Sequence, residues 1–165
     1  MNWVDIIILL ILIFSFIGGV KEGAVKNLFT LAATIIAIPV AGSYYYIIAN
    51  FLDFLPGNDW QNFIAFFVAM GIIVVILHLI FIIPRKIIEQ VWSGGILFRL
   101  IGGAANVVNA GIGLVILAIV IKTYPIVGWL EEMVVNSALI AWLATLLGFV
   151  VQLLPPIFHR AANFI

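Results

Sequence analysis

A few polar residues lie inside long apolar runs of this sequence and could do chemistry there. His78 can exchange a proton, and Asn106 and Asn109, spaced i and i+3, project from one side of a helix. Ser15 and Thr30 add hydroxyl groups. Ionisable groups inside a membrane are candidates for proton or ion steps. These residues raise two possibilities, transport of a proton or an ion and plain hydrogen bonding between helices.

The helical rise places these polar residues at a shared depth. At about 1.5 Å per residue, His78 and Asn106 each lie about 8 to 9 Å inside one end of their apolar runs. Ser15 and Thr30 reach a similar depth. We therefore predict a polar layer of Ser15, Thr30, His78 and Asn106, with Asn109 on the same helix face. Because His78 is the one ionisable residue well inside a run, hydrogen-bonded helix packing is the plainer interpretation.

The stretch FIGGVKEGAVKNLF, Phe16 to Phe29, combines glycines with lysines and could grip a phosphate. A phosphate loop needs G-x-x-x-x-G-K-[ST] or G-x-G-x-x-G after a strand, and neither spacing occurs. Gly23 instead permits a positive φ in a hairpin, while Lys21 and Lys26 can reach anionic headgroups. We interpret this stretch as a turn that sets membrane topology.

Composition narrows the function classes. The chain has no cysteine, which excludes thiol nucleophiles and cysteine metal sites. Its formal net charge is zero, so nucleic acid is not an expected partner. The sequence contains neither H-E-x-x-H nor G-x-S-x-G, and His159, Glu131 and Glu132 are expected near the surface. We predict no catalytic residue, cofactor or metal site.

Long apolar segments must position these side chains. Hydrophobic residues make up 66% of the 165 residues and charged residues only 8%, which is typical of a membrane protein. The segments long enough to span are Val4–Val20, Ala24–Ala49, Trp60–Ile83 and Leu100–Ile121. We predict an all-α membrane protein with four transmembrane helices, interfacial helices and a hydrophobic C-terminal helix. That last helix, Ala138 to Leu154, could also be a fifth span.

The basic residues and the small residues predict orientation and packing. Lys21 and Lys26 in the first loop, with Arg85, Lys86 and Arg99 in the third, favour a cytoplasmic position for both loops and an extracytoplasmic N-terminus. Small residues on the fourth span allow close helix approach, which also makes a homo-oligomer or a membrane-protein partner plausible. The packing residues are Gly102, Ala110 and Gly113.

Three stretches resemble the bacterial colicin V production protein (CvpA) family. They are NWVD with Asp5, the KEGAVKNLFTL turn with Gly23 and Lys26, and IIEQVWSGGILFRLIGGAANVVNAGIGL at Ile87 to Leu114. The resemblance extends over about Met1 to Ile121 and fades afterwards. We therefore divide the chain into a four-span domain, 1–121, and an interfacial and membrane-associated segment, 122–165. This sequence has Phe98 where the family tends to have an aspartate, and Asn109-Ala110 where it has arginine-glycine.

The resemblance implies a multi-pass protein of the bacterial inner membrane, linked to toxin production or secretion or to envelope homeostasis. We expect a non-enzymatic scaffold or accessory component in contact with the lipid bilayer. The alternative is a small transporter or channel subunit that uses the polar layer around His78.

Overall fold

A computed structural model describes residues 3–52, 58–91, 94–124, 128–154 and 158. Its elements are α1 Trp3–Glu22, α2 Ala24–Phe51, α3 Asn58–Val91, α4 Ile96–Thr123, α5 Gly128–Val135, α6 Ala138–Leu146 and α7 Phe149–Leu153. The described residues contain no β-strand. Helices α1 to α4 are each long and apolar enough to cross a membrane. The predicted fold class is confirmed.

Helix α2 begins at the predicted Ala24, and the other ends of α1 to α4 extend beyond the predicted spans. The clearest difference is at Pro84, where we expected the third span to stop. Helix α3 instead continues through Pro84 to Val91, and Arg85 forms an ion pair with Glu89 one turn later. Proline lacks one backbone donor and crowds the preceding turn. The residues after Pro84 are mostly exposed, so a local ion pair and not tertiary packing accompanies the continued helix.

The four long helices alternate in direction and define two ends of the bundle. We call one end the basic face, because the α1–α2 turn with Lys21 and the α3–α4 junction with Arg99 lie there. We call the other end the amino-terminal face, where α1 and α3 begin and α2 and α4 end. Helix α4 packs against both α1 and α2, while α3 packs mainly along α2. In the most apolar part of α3, only 11% of the residues are therefore buried, against 50% in that of α4.

The described part of the C-terminal segment begins at the amino-terminal face, and Phe158 lies at the same face. Helix α6 starts beside Asp5, and its far end contacts Gly111, where a Cβ atom would lie 3.0 Å from Leu147. The helical rise puts Gly111 about 20 Å below Tyr124. Phe158 is fully buried and packs against Tyr124, with the ring centroids 6.1 Å apart. The segment is therefore re-entrant, since it dips to the middle of the bundle and comes back.

A sharp bend separates α5 from α6. These two helices together are apolar enough to pass as one span, but their axes differ by 63°. The bend and the return of Phe158 favour the membrane-associated helix over the fifth span that the sequence left open. Helix α6 packs on α1 and α4, so the segment is part of the bundle's core packing.

Candidate functional site: hydrogen-bonded clasps at the two ends of the bundle

Glycines bring α1 and α4 into backbone contact near the basic face. A Cβ atom on Gly19 would lie 2.4 Å from the carbonyl oxygen of Gly102 and 2.8 Å from the Cα atom of Gly103. A Cβ atom on Gly102 would in turn lie 2.5 Å from the backbone of Gly23. Only hydrogen fits at these positions, which is the usual reason for small residues at crossings in lipid. Gly23 has a φ of 83°, a left-handed conformation that favours glycine.

Asn27 fastens this crossing from the first turn of α2. Its Nδ2 donates to the carbonyl oxygens of Gly19, at 3.1 Å, and of Gly23, at 2.8 Å. The side chain is 1% exposed. The Gly19 carbonyl oxygen also accepts from the Gly23 backbone N–H at 3.0 Å, so the Asn27 amide is a second donor to it. Asn27 therefore ties the end of α1 to the start of α2.

Asn106 makes a second link across the crossing. Its Nδ2 donates to the backbone carbonyl oxygen of Ser15 at 2.7 Å. The structure thus brings together two members of the predicted polar layer, although Ser15 contributes its backbone and not its hydroxyl group. This bond joins α1 to α4 one turn deeper than the glycine contacts. We call the contacts of Gly19, Gly102, Asn27 and Asn106 the glycine clasp.

The other predicted members of the layer lie apart from this clasp. The Thr30 hydroxyl donates to the carbonyl oxygen of Lys26 within α2. His78 is half-buried on α3, and no hydrogen bond to it is found within the described ranges. The Oδ1 atom of Asn109 is buried without a hydrogen-bond partner among the described residues. The described residues thus do not join the four predicted members in one hydrogen-bonded layer.

The remaining predicted residues show different environments. Lys21 is exposed, and Lys26 pairs with Glu22 on the preceding helix. Ala110 is half-buried. Gly113 would meet no atom of the described chain within 4 Å of an added Cβ. Close packing therefore requires glycine at Gly102 but not at Gly113.

Asp5 forms a second clasp at the amino-terminal face. Its carboxylate is fully buried, and Oδ1 accepts hydrogen bonds from the Ser137 hydroxyl at 2.5 Å and from the Leu139 backbone N–H at 3.1 Å. We predicted Asp5 as a family-like residue at the edge of the first span. The structure adds that its carboxylate binds the start of α6.

Ser137 completes this arrangement as the N-cap of α6. Its Oγ accepts from the Ile140 N–H at 3.2 Å while its hydroxyl donates to Asp5. The N–H groups in the first turn of α6 are thus shared between two side chains, and the negative carboxylate lies at the positive end of the helix dipole. We call Asp5, Ser137 and the first turn of α6 the carboxylate clasp.

The sequence did not identify Asn27 and Ser137 as functional residues. Ser137 stands directly before the apolar run ALIAWLATL, which is a typical N-cap position. Asn27 follows Gly23 by one helical turn, where a side-chain amide can reach the carbonyls of a glycine-terminated helix. Neither signal identifies a partner elsewhere in the chain.

The two clasps use their polar atoms to join helices. Asn27, Asn106 and Asp5 each hydrogen-bond a group on another helix or at another helix end. Among the described residues, no group of three or more His, Asp or Glu side chains could hold a metal ion. The arrangement fixes α1 at both ends, to α2 and α4 at one and to α6 at the other.

Comparison with known proteins yields one family. A family model described as colicin V production protein matches residues 4–153. The match continues well past Ile121, where we expected the resemblance to fade, and it includes both clasps. No curated protein and no solved structure matches the chain.

Proposed function

Because the chain belongs to the colicin V production protein family and is a multi-pass membrane protein, we propose that it acts as a non-enzymatic scaffold or accessory component. Its setting would be the bacterial inner membrane, and its role toxin production or secretion or envelope homeostasis. The observation that carries the proposal is that the buried polar side chains of both clasps bind other helices of the same chain. Such bonds make a rigid framework.

Helix α3 supplies the surface through which a framework could bind a membrane partner. It lies at the edge of the bundle, and Val75 and Leu79 are 59% and 62% exposed on neighbouring turns of one side. Apolar residues on a lipid-exposed helix need no protein partner, so exposure alone does not establish an interface. Our proposal is that another membrane protein or a second copy of this chain binds here.

A genetic test separates assembly from transport. In a strain that lacks the gene, wild type should restore resistance to envelope stress, and His78→Ala should restore it equally well. Val75→Trp with Leu79→Trp should fail, because bulky apolar groups block a protein interface without opposing membrane insertion. Ile6→Trp is the matched control, since Ile6 is 55% exposed on α1. Full restoration by the α3 double variant would overturn the assembly role.

A flux assay tests the rival class directly. Purified wild type and His78→Ala are placed in liposomes that hold a pH-sensitive dye. The scaffold proposal expects proton flux no greater than that of empty liposomes for both proteins. Robust flux in wild type that is lost in His78→Ala would replace the scaffold with a transporter or channel subunit.

Orientation is tested with single cysteines, which are clean probes because the natural chain has none. Asn50→Cys reports the amino-terminal face and Gln90→Cys the basic face, and both positions are exposed. We expect an impermeant thiol reagent added outside the inner membrane to label Asn50→Cys alone, because basic loops stay cytoplasmic. The reverse pattern would overturn the proposed orientation.

A further inference from the structure

An apolar cavity lies between α1, α4 and the C-terminal helices at the amino-terminal face. It has a volume of about 290 Å³ and opens at its side. Its walls include Ile7 and Ile11 of α1, Leu114 and Ala118 of α4, and Val134 of α5. We call this cavity the α1–α4 slot.

The slot begins at headgroup level and runs into the hydrocarbon. At its upper rim Trp3 stacks near Trp129, with ring centroids 6.4 Å apart, and its Nε1 donates to Met133. Tryptophans of membrane proteins concentrate at this interface. The slot extends along α1 from Val4 to Ile11, a distance of about 10 Å at the rise of an α-helix. It therefore lies along the path of a lipid chain of that leaflet.

The volume and the lining of the slot indicate which kind of molecule can occupy it. Water or an ion would find no polar wall, because the lining side chains are apolar. A second helix, about 10 Å or more in diameter, is too wide to enter. The slot has about twice the volume of an engineered 150 Å³ cavity that stays dry and takes up benzene, so about a dozen carbon atoms fit. An empty slot would lose the dispersion contacts of its walls.

We propose that the α1–α4 slot is a binding site for one acyl chain of a phospholipid from the leaflet at the amino-terminal face. The chain enters sideways past Ile7, Ile11 and Leu117, which are partly exposed, and its headgroup stays at the level of Trp3. Ala118 supplies the space, because its small side chain leaves room on the α4 side of the slot. This inference is independent of the proposed scaffold role.

The test uses the full chain in nanodiscs made with a phospholipid that carries a diazirine near the middle of one acyl chain. After illumination, mass spectrometry locates the adducts. We expect at least threefold more adducts at Ile7, Ile11 and Leu117, which line the slot, than at Val75 and Leu79, which are more exposed. Labelling that follows exposure, with α3 labelled most, would overturn the proposal.

The second part of the test fills the slot with a larger side chain. Ala118→Phe should lower the slot adducts at least fivefold, whereas Ala104→Phe, at an exposed position of the same helix, should leave them unchanged. Unchanged slot labelling in folded Ala118→Phe would also overturn the proposal. Ala118→Val is the milder replacement if the phenylalanine prevents folding, and the adduct map of the wild type decides independently of either variant.

Discussion

The glycine clasp and the carboxylate clasp hold the two ends of α1 by opposite means. At the basic face, the absence of side chains at Gly19 and Gly102 lets backbones touch, and neutral amides supply the hydrogen bonds. At the amino-terminal face, the charged side chain of Asp5 replaces part of a helix's missing hydrogen bonding. The first clasp depends on shape, whereas the second depends on charge, so substitutions should affect them differently.

The largest effect on stability is expected at Gly19, where the neighbouring backbone leaves no room for a side chain. Gly19→Leu should destabilise the protein by about 3 kcal/mol or more, because overpacking against backbone cannot be relieved by a rotamer change. Its thermal unfolding in detergent should show a large fall in midpoint or no folded protein. Gly113→Leu is the matched control, since nothing lies within 4 Å of a Cβ there in the described chain. Equal stability of the two variants would remove close backbone contact as the reason for Gly19.

The second effect comes from removing the carboxylate of the carboxylate clasp. Asp5→Ala should cost about 2 to 3 kcal/mol, because it leaves the Ser137 hydroxyl and the Leu139 N–H buried and unpaired. The measurement is the rate at which a lipid-permeant thiol reagent modifies Leu143→Cys, a site that is 3% exposed in the intact protein. We expect faster modification when α6 detaches.

Asp5→Asn sharpens that result. The amide keeps an acceptor oxygen but loses the charge, so it should fall between the wild type and Asp5→Ala in the rate of Leu143→Cys modification. Asp5→Asn equal to the wild type would show that the clasp needs an acceptor but no charge.

A third, smaller effect tests the neutral amide. Asn27→Ala should cost about 1 to 2 kcal/mol, because two carbonyls at the end of α1 lose a donor. The midpoint of thermal unfolding should fall, while the modification rate of Leu143→Cys should stay at the wild-type value because α6 is held separately. A faster rate would mean that the two clasps are coupled and do not act as independent fastenings.

The smallest effect belongs to a residue outside both clasps. His78→Ala should change stability by no more than about 0.5 kcal/mol, the usual range for positions without a special contact. Thermal unfolding again supplies the measurement. A loss comparable to that of Asn27→Ala would show that His78 has a structural partner after all.

The sequence predicted the long helices well because length and hydropathy are local properties. The resemblance to the family is confirmed by the match over residues 4–153. Depth counting also placed Ser15 and Asn106 at one level, where they meet. The same count could not show that His78 lies on a peripheral helix, because depth says nothing about rotation around the bundle axis.

The carboxylate clasp could not be predicted for a different reason. Asp5 resembles an ordinary charged residue of the membrane interface when only its sequence neighbours are considered. Its partner, Ser137, lies 132 residues further along the chain. A capping signal identifies the start of a helix but not the side chain that approaches it from elsewhere. Likewise, Pro84 signals a helix end, yet α3 continues to Val91 with a local ion pair between Arg85 and Glu89.

The pairing of Asp5 with Ser137 also determines when this contact can form during synthesis of the chain. Asp5 leaves the ribosome before Ser137, which follows 132 residues later. At about 5 to 20 residues per second, the wait lasts roughly 7 to 26 seconds. During that interval the carboxylate lacks its Ser137 and Leu139 donors, so we expect it to stay at the hydrated membrane surface until α6 has been made. Closure of this clasp therefore waits for the synthesis of Ser137, and a ribosome that stops before Ser137 releases a product in which α1 lacks this contact.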